Sequence, residues 1–168
     1  MFVLLQFFDN VEGPKAYKVI YKRHNEKEGS NKRGNPAGSY EQEKLLKKES
    51  LMRKKIIQYF GNLFNSANLG YFVHNFEGRE QFSSCNYYFS IPTPNVRHHK
   101  LYLMLSLILP YHENPNIFRD FLISATHQIK DLQEVGKLLY NQEYTELDKI
   151  LENLYERVNA HIISQSYI

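Results

Sequence analysis

Tryptophan is absent from this chain, and cysteine occurs once, at Cys85. A lone cysteine excludes an intramolecular disulfide framework and any zinc site built from several thiolates. No asparagine stands in an Asn-x-Ser/Thr acceptor sequence. Neither a GxxxxGK[ST] phosphate loop nor a GxGxxG turn occurs, so the chain itself is expected to bind no nucleotide. Ser83-Ser84 lacks the flanking glycines of a nucleophile elbow. No apolar run approaches the roughly 18 residues that span a bilayer. The longest, Leu101 to Pro110, is strand-sized. The opening MFVLLQFF has no basic start and no small-residue cleavage site, and Asp9 ends it. A soluble, cytoplasmic protein is the expectation.

What the chain does have is aromatic surface: 13 Tyr and 11 Phe in 168 residues, enough for one domain, 1–168, with a sizeable core. Net charge is only +3, but it is unevenly placed. Between Lys22 and Lys55 eleven Lys/Arg face five Glu, whereas from Asn116 to Ile168 five Lys/Arg face eight Asp/Glu. One segment is basic, and the C-terminal third is mildly acidic.

Phe2 to Phe8 is apolar except for Gln6, and Asp9-Asn10 and Gly13-Pro14 bound it as turn residues. Lys15 to Lys22 alternates like a strand, so an antiparallel hairpin is expected. His24 to Ser39 is rich in Gly, Asn, Ser and charge, which predicts a flexible loop over about 24–39. Leu45, Met52, Ile56, Phe60 and Leu63 recur at helical spacing and predict a helix from about Glu41 to Phe64, stopped by Asn65 to Gly70. Tyr71 to Asn75 and Gln81 to Ile91 read as strands around the turn Phe76 to Arg79, and Pro92 to Asn95 reads as a loop. Lys100 to Leu109 is a nearly all-apolar strand. Continuous apolarity there and in Phe2–Phe8 implies burial on both faces, hence a central position in a sheet. Helical stripes over Pro115 to Leu132 and about Glu143 to Ile163 complete the chain.

The order strand-strand-helix-three strands-helix-helix resembles the longin (SNARE-like, roadblock-related) fold. That is an α/β (α+β) domain whose five-stranded antiparallel sheet has helices on both faces. The segment Leu5-Gln6-Phe7-Phe8-Asp9-Asn10-Val11-Glu12-Gly13-Pro14 looks like the opening of longin modules in small-GTPase regulators: folliculin, the nitrogen permease regulator-like proteins and DENN proteins. An isolated domain of this kind resembles the short longin and roadblock proteins of archaea with eukaryote-like small GTPases. The resemblance implies a non-enzymatic adaptor for a small Ras-like GTPase or a second longin or roadblock chain, as a homo- or heterodimer, without cofactor. Two alternatives are a GTPase-activating subunit and a vesicle-trafficking adaptor subunit.

Particular residues carry these readings. Longin-type activating subunits are similar in placing an arginine finger before the last strand, where Arg97 stands here; a solvated loop arginine would look the same in sequence. His98 and His99 are adjacent in an extended segment and point to opposite faces, so no metal site is expected. Cys85 shares a strand face with Tyr87, Phe89 and Ile91, which predicts a buried, unreactive thiol. The basic run includes Lys47, Lys48, Lys54 and Lys55. It reads as a solvated helix face or as a patch for anionic lipid, and peripheral membrane contact is the better functional reading. Nucleic acid would call for a broader basic face with stacking aromatics, so none is expected as a partner.

Overall fold

The computed structural model describes residues 1–21, 36–76, 82–93, 99–132, 135, 139 and 144–167; before Ser50, the helical side chains are described only at Lys44 and Lys47. Five strands and three α-helices are found among these residues. They are β1 (Phe2–Asp9), β2 (Gly13–Ile20), α1 (Pro36–Ser66), β3 (Gly70–Asn75), β4 (Phe82–Pro92), β5 (Lys100–Pro110), α2 (Arg119–Asp131) and α3 (Thr145–Ser166). The sheet runs β2-β1-β5-β4-β3, with every neighbouring pair antiparallel.

The two uninterrupted apolar strands are the ones that meet inside the sheet. Leu5 lies opposite Leu105, and Val3 opposite Leu107. Successive side chains of a strand point to opposite faces. Val3, Leu5 and Phe7 therefore join Leu101, Leu103, Leu105, Leu107 and Leu109 on one face, against Phe118, Leu122 and Ile129 near or on α2 and Leu147, Leu151 and Val158 of α3. Phe2 and Leu4 join Met104 and Ile108 on the other face, against Ile56, Phe60 and Phe64 of α1. The core is thus two layers of apolar packing separated by the sheet.

Turn chemistry sets the first hairpin. The Asp9 carboxylate accepts hydrogen bonds from the amides of Val11 (2.8 Å) and Glu12 (3.0 Å). Gly13 then adopts φ 81°, a backbone angle that side chains disfavour. Pro14 follows in β2, an outer strand of the sheet, where proline is tolerated. Gln6, the single polar residue of the β1 run, is fully buried beneath α1. With its side-chain oxygen and nitrogen exchanged to match their neighbours, its amide donates to the Phe60 carbonyl and accepts from the Gly61 amide, each at 3.3 Å, tying the strand to the helix backbone.

Several boundaries differ from the sequence reading. The helix starts at Pro36, so residues 36–39 of the expected flexible loop are helical; residues 24–35 lie outside the described part. Proline suits a first helical position because its fixed φ is helical and its missing amide has no partner to lose there. Phe64, omitted from the expected stripe, is buried, whereas Met52 and Leu63 are only half-buried. Pro115–Phe118 forms a 3-10 turn rather than the first α-helical turn, and the Asn114 side chain accepts from the Asn116 amide at 3.1 Å. Thr145, not Glu143, opens the last helix. Pro92 ends β4 rather than opening the next loop.

The far side of β2 is fastened to α3. The Tyr17 hydroxyl donates to the Asp148 carboxylate at 2.8 Å and accepts from the Tyr144 amide at 3.2 Å, while the Lys18 ammonium lies 3.1 Å from the same carboxylate. Burial, reinforced by the Asp148 carboxylate, pushes the Tyr17 hydroxyl up to about 12.

Two measurements test this packing. Leu105 is fully buried at the centre, so Leu105→Ala should lower unfolding stability by about 2–5 kcal/mol through the cavity it leaves. A denaturation midpoint unchanged by the substitution would refute the central placement of β5. For Tyr17 the linkage has a definite sign. Between about pH 10, where an unfolded tyrosine ionises, and about pH 12, the folded state binds more protons, so stability falls as pH rises. Tyr17→Phe should cost about 1–2 kcal/mol at neutral pH and flatten that alkaline decline. An unaltered alkaline slope would show that Tyr17 titrates freely in the folded protein.

Candidate functional site

The two edges of the sheet are chemically different. Along β2, the Arg53 guanidinium of α1 donates to the Val19 carbonyl at 3.1 Å, and Tyr17 and Lys18 reach α3. That edge is braced from both helical layers. β3 closes the other end and pairs only with β4 among the described residues. Its residues Gly70 to His74 are half-buried and Asn75 is exposed, a row of backbone groups on an accessible flank.

Aromatic side chains border this open edge. Tyr59 projects from the flank of α1, and its hydroxyl is 2.6 Å from Nε2 of His74 on β3. The ring of Phe76, two residues beyond His74 and so on the same strand face, lies 4.2 Å from Tyr59, 5.3 Å from His74 and 5.4 Å from the buried Phe60. Further along the same flank, Leu63, Ala67, Leu69 and Phe72, together with Ser66, Asn68, Tyr71 and His74, line an open groove of about 280 Å³ between the end of α1 and β3. Leu69 is 63% exposed beside it. A groove of mixed lining next to a strand edge that is unpaired among the described residues, with a half-wet aromatic cluster beside it, can accept an extended segment or a partner's sheet edge.

The sequence-derived candidates fall elsewhere. Lys47, Lys54 and Lys55 are exposed on α1, as is Lys44; Lys48 belongs to the same helix, its side chain outside the described residues. Arg53, which stands beside Lys54 and Lys55 in the sequence, is a brace on β2. Arg97 and His98 lie outside the described residues. The segment that carries them is closed at its base by the Thr93 amide, which donates to the His99 carbonyl at 2.9 Å. His99 itself has φ 56°, in the left-handed region. The sequence and the structure therefore point to different patches, and no described lysine of the basic run lines the β3 groove.

The thiol and tyrosine shifts run in the unreactive direction. Burial pushes the Cys85 thiol up to about 12, the opposite of what a nucleophilic thiolate needs. Burial likewise raises Tyr71 to about 12 and, less strongly, Tyr88. Tyr71 is positioned by its hydroxyl, which donates to the Asn116 side chain at 3.1 Å, and by the Arg119 guanidinium 5.3 Å from its ring centre. These groups are held in neutral, packed forms.

Sequence reasoning missed the Tyr59, His74 and Phe76 cluster. The spacing of His74 and Phe76 on one strand face was the available signal, but Tyr59 joins them only through packing of α1 on β3. Comparison with known proteins adds no name to this surface: no protein-family model matches the chain, and no curated protein sequence is significantly similar to it.

Proposed function

We propose that this chain is a longin-type adaptor that holds a small Ras-like GTPase, or a second longin or roadblock chain, at the open β3 edge of its sheet. The observation that carries the reading is the asymmetry of the edges. β2 and β3 both lack a second strand partner among the described residues, but the Val19 carbonyl of β2 is taken by Arg53 and Tyr17 is held by Asp148, whereas β3 is flanked by an open groove of mixed polar and apolar lining and by the exposed Tyr59. A strand edge satisfies its backbone groups by pairing, and adjacent pockets give such pairing its specificity. The antiparallel β2-β1-β5-β4-β3 sheet between one helix and two supports the longin assignment. The partner contributes any nucleotide chemistry, and this chain contributes the docking surface.

The purified chain, mixed with GDP-loaded or GTP-analogue-loaded Ras-like GTPases and with longin and roadblock chains from the same source, should form a complex with at least one of them by calorimetry. Leu69→Lys places a charge in the groove and should weaken that complex at least tenfold while leaving the melting temperature nearly unchanged. Failure to bind any of these partners, or binding indifferent to Leu69→Lys, would refute the reading. In the same mixture Arg97→Ala should leave the rate of GTP hydrolysis unchanged. A fall of about a thousandfold or more would instead make the chain a GTPase-activating subunit.

A further inference from the structure

The outward side of α1 carries a second surface, independent of the β3 groove. Helical geometry sets it out. Steps of three, four and three residues return to nearly the same side of a helix, so Lys44, Lys47, Leu51 and Lys54 form one stripe, with Lys55 beside it. The stripe lies opposite Ile56 and Phe60, the residues that α1 buries against the sheet. All five of its members are exposed, and Leu51, at its centre, is 56% exposed. None of the four ammonium groups is ion-paired with a carboxylate among the described residues.

We infer that this stripe is a peripheral binding surface for anionic lipid bilayers, with Leu51 as an apolar wedge among headgroup-binding lysines. Four cations with no carboxylate partner among the described residues, spread along roughly 16 Å of helix, match the negative surface of such a membrane. Lysine stems can lie along the interface while their ammonium groups stay among phosphates, and a leucine between them gains by entering the acyl boundary. No described helix is long and apolar enough to cross a membrane, so the contact belongs to the surface. A nucleic acid is a poorer fit. Single strands are held by stacking aromatics and duplexes by arginine forks, whereas the stripe has a leucine at its centre and its neighbour Arg53 is engaged with Val19.

The absence of tryptophan provides a clean reporter. The full-length chain should co-sediment with phosphatidylcholine vesicles containing phosphatidylserine, should ignore pure phosphatidylcholine, and should lose affinity as salt rises. The paired reversal Lys47→Glu and Lys54→Glu should reduce binding at least tenfold, and Leu51→Ser several-fold with the salt dependence kept. Leu51→Trp, then the sole tryptophan, should shift its emission to the blue on adding the anionic vesicles. No binding at low salt, binding indifferent to the lysine reversals, or an unshifted Leu51→Trp emission would overturn the inference. So would tighter binding of a single-stranded polynucleotide that Leu51→Ser leaves intact. Because these substitutions lie outside the β3 groove, loss of vesicle binding with retained partner binding, or the reverse, separates this inference from the adaptor reading.

Discussion

Antiparallel pairing of β1 with β5 is the constraint on which the other elements depend. It joins residues about a hundred positions apart, Leu5 with Leu105, and puts both strands between other strands. A strand in that position can bury side chains on both faces, but only if both faces are covered. The chain meets this requirement with α1 on one side and α2 with α3 on the other. Without the central pair, neither apolar layer would have a common floor, and each amphipathic helix would lose the surface that orders it.

The two layers are not equivalent. Leucine dominates the strand residues that face α2 and α3, and the helices answer with Leu122, Ile129, Leu147 and Leu151. Beneath α1 the sheet instead presents buried Gln6, Ser84, Asn86 and Ser106 among its apolar residues. Gln6 recovers its desolvation cost through the α1 backbone, and Asn86 donates to the Ser84 hydroxyl at 3.0 Å. The Asn86 carbonyl oxygen and the Ser106 hydroxyl, on directly opposed residues, have no hydrogen-bond partner among the described residues. Among the described residues, the apolar seam of the α1 layer runs from Met52 to Ala67.

That division of labour gives the proposed functions separate places. The inner side of α1 supports the sheet, its flank and C-terminal end build the groove beside β3, and its outer side carries the lysine stripe. A partner docked on the β3 edge would not cover the stripe, because the stripe points away from the sheet. An adaptor that holds a partner at one surface and a membrane at another would need this kind of separation.

The positions of the central strands were legible in the sequence because burial on both faces erases the polar half of a strand's alternation, as it does in Phe2–Phe8 and Lys100–Leu109. The helices were legible from their stripes, and the buried state of Cys85 from the residues sharing its strand face. Each of these is a local consequence of period and side-chain chemistry. The start of α1 at Pro36 was missed because loop-like composition outweighed the helix-starting property of a single proline. Other features had no local signature at all. Arg53 reads as one more cation until α1 lies across β2, and Tyr59, His74 and Phe76 read as unrelated aromatics until α1 packs beside β3. The sequence by itself therefore determined which segments form strands and helices and which sides they bury. Only the tertiary structure decided that Arg53 reaches β2 and that Tyr59, His74 and Phe76 meet, because those depend on contacts between residues far apart in the chain.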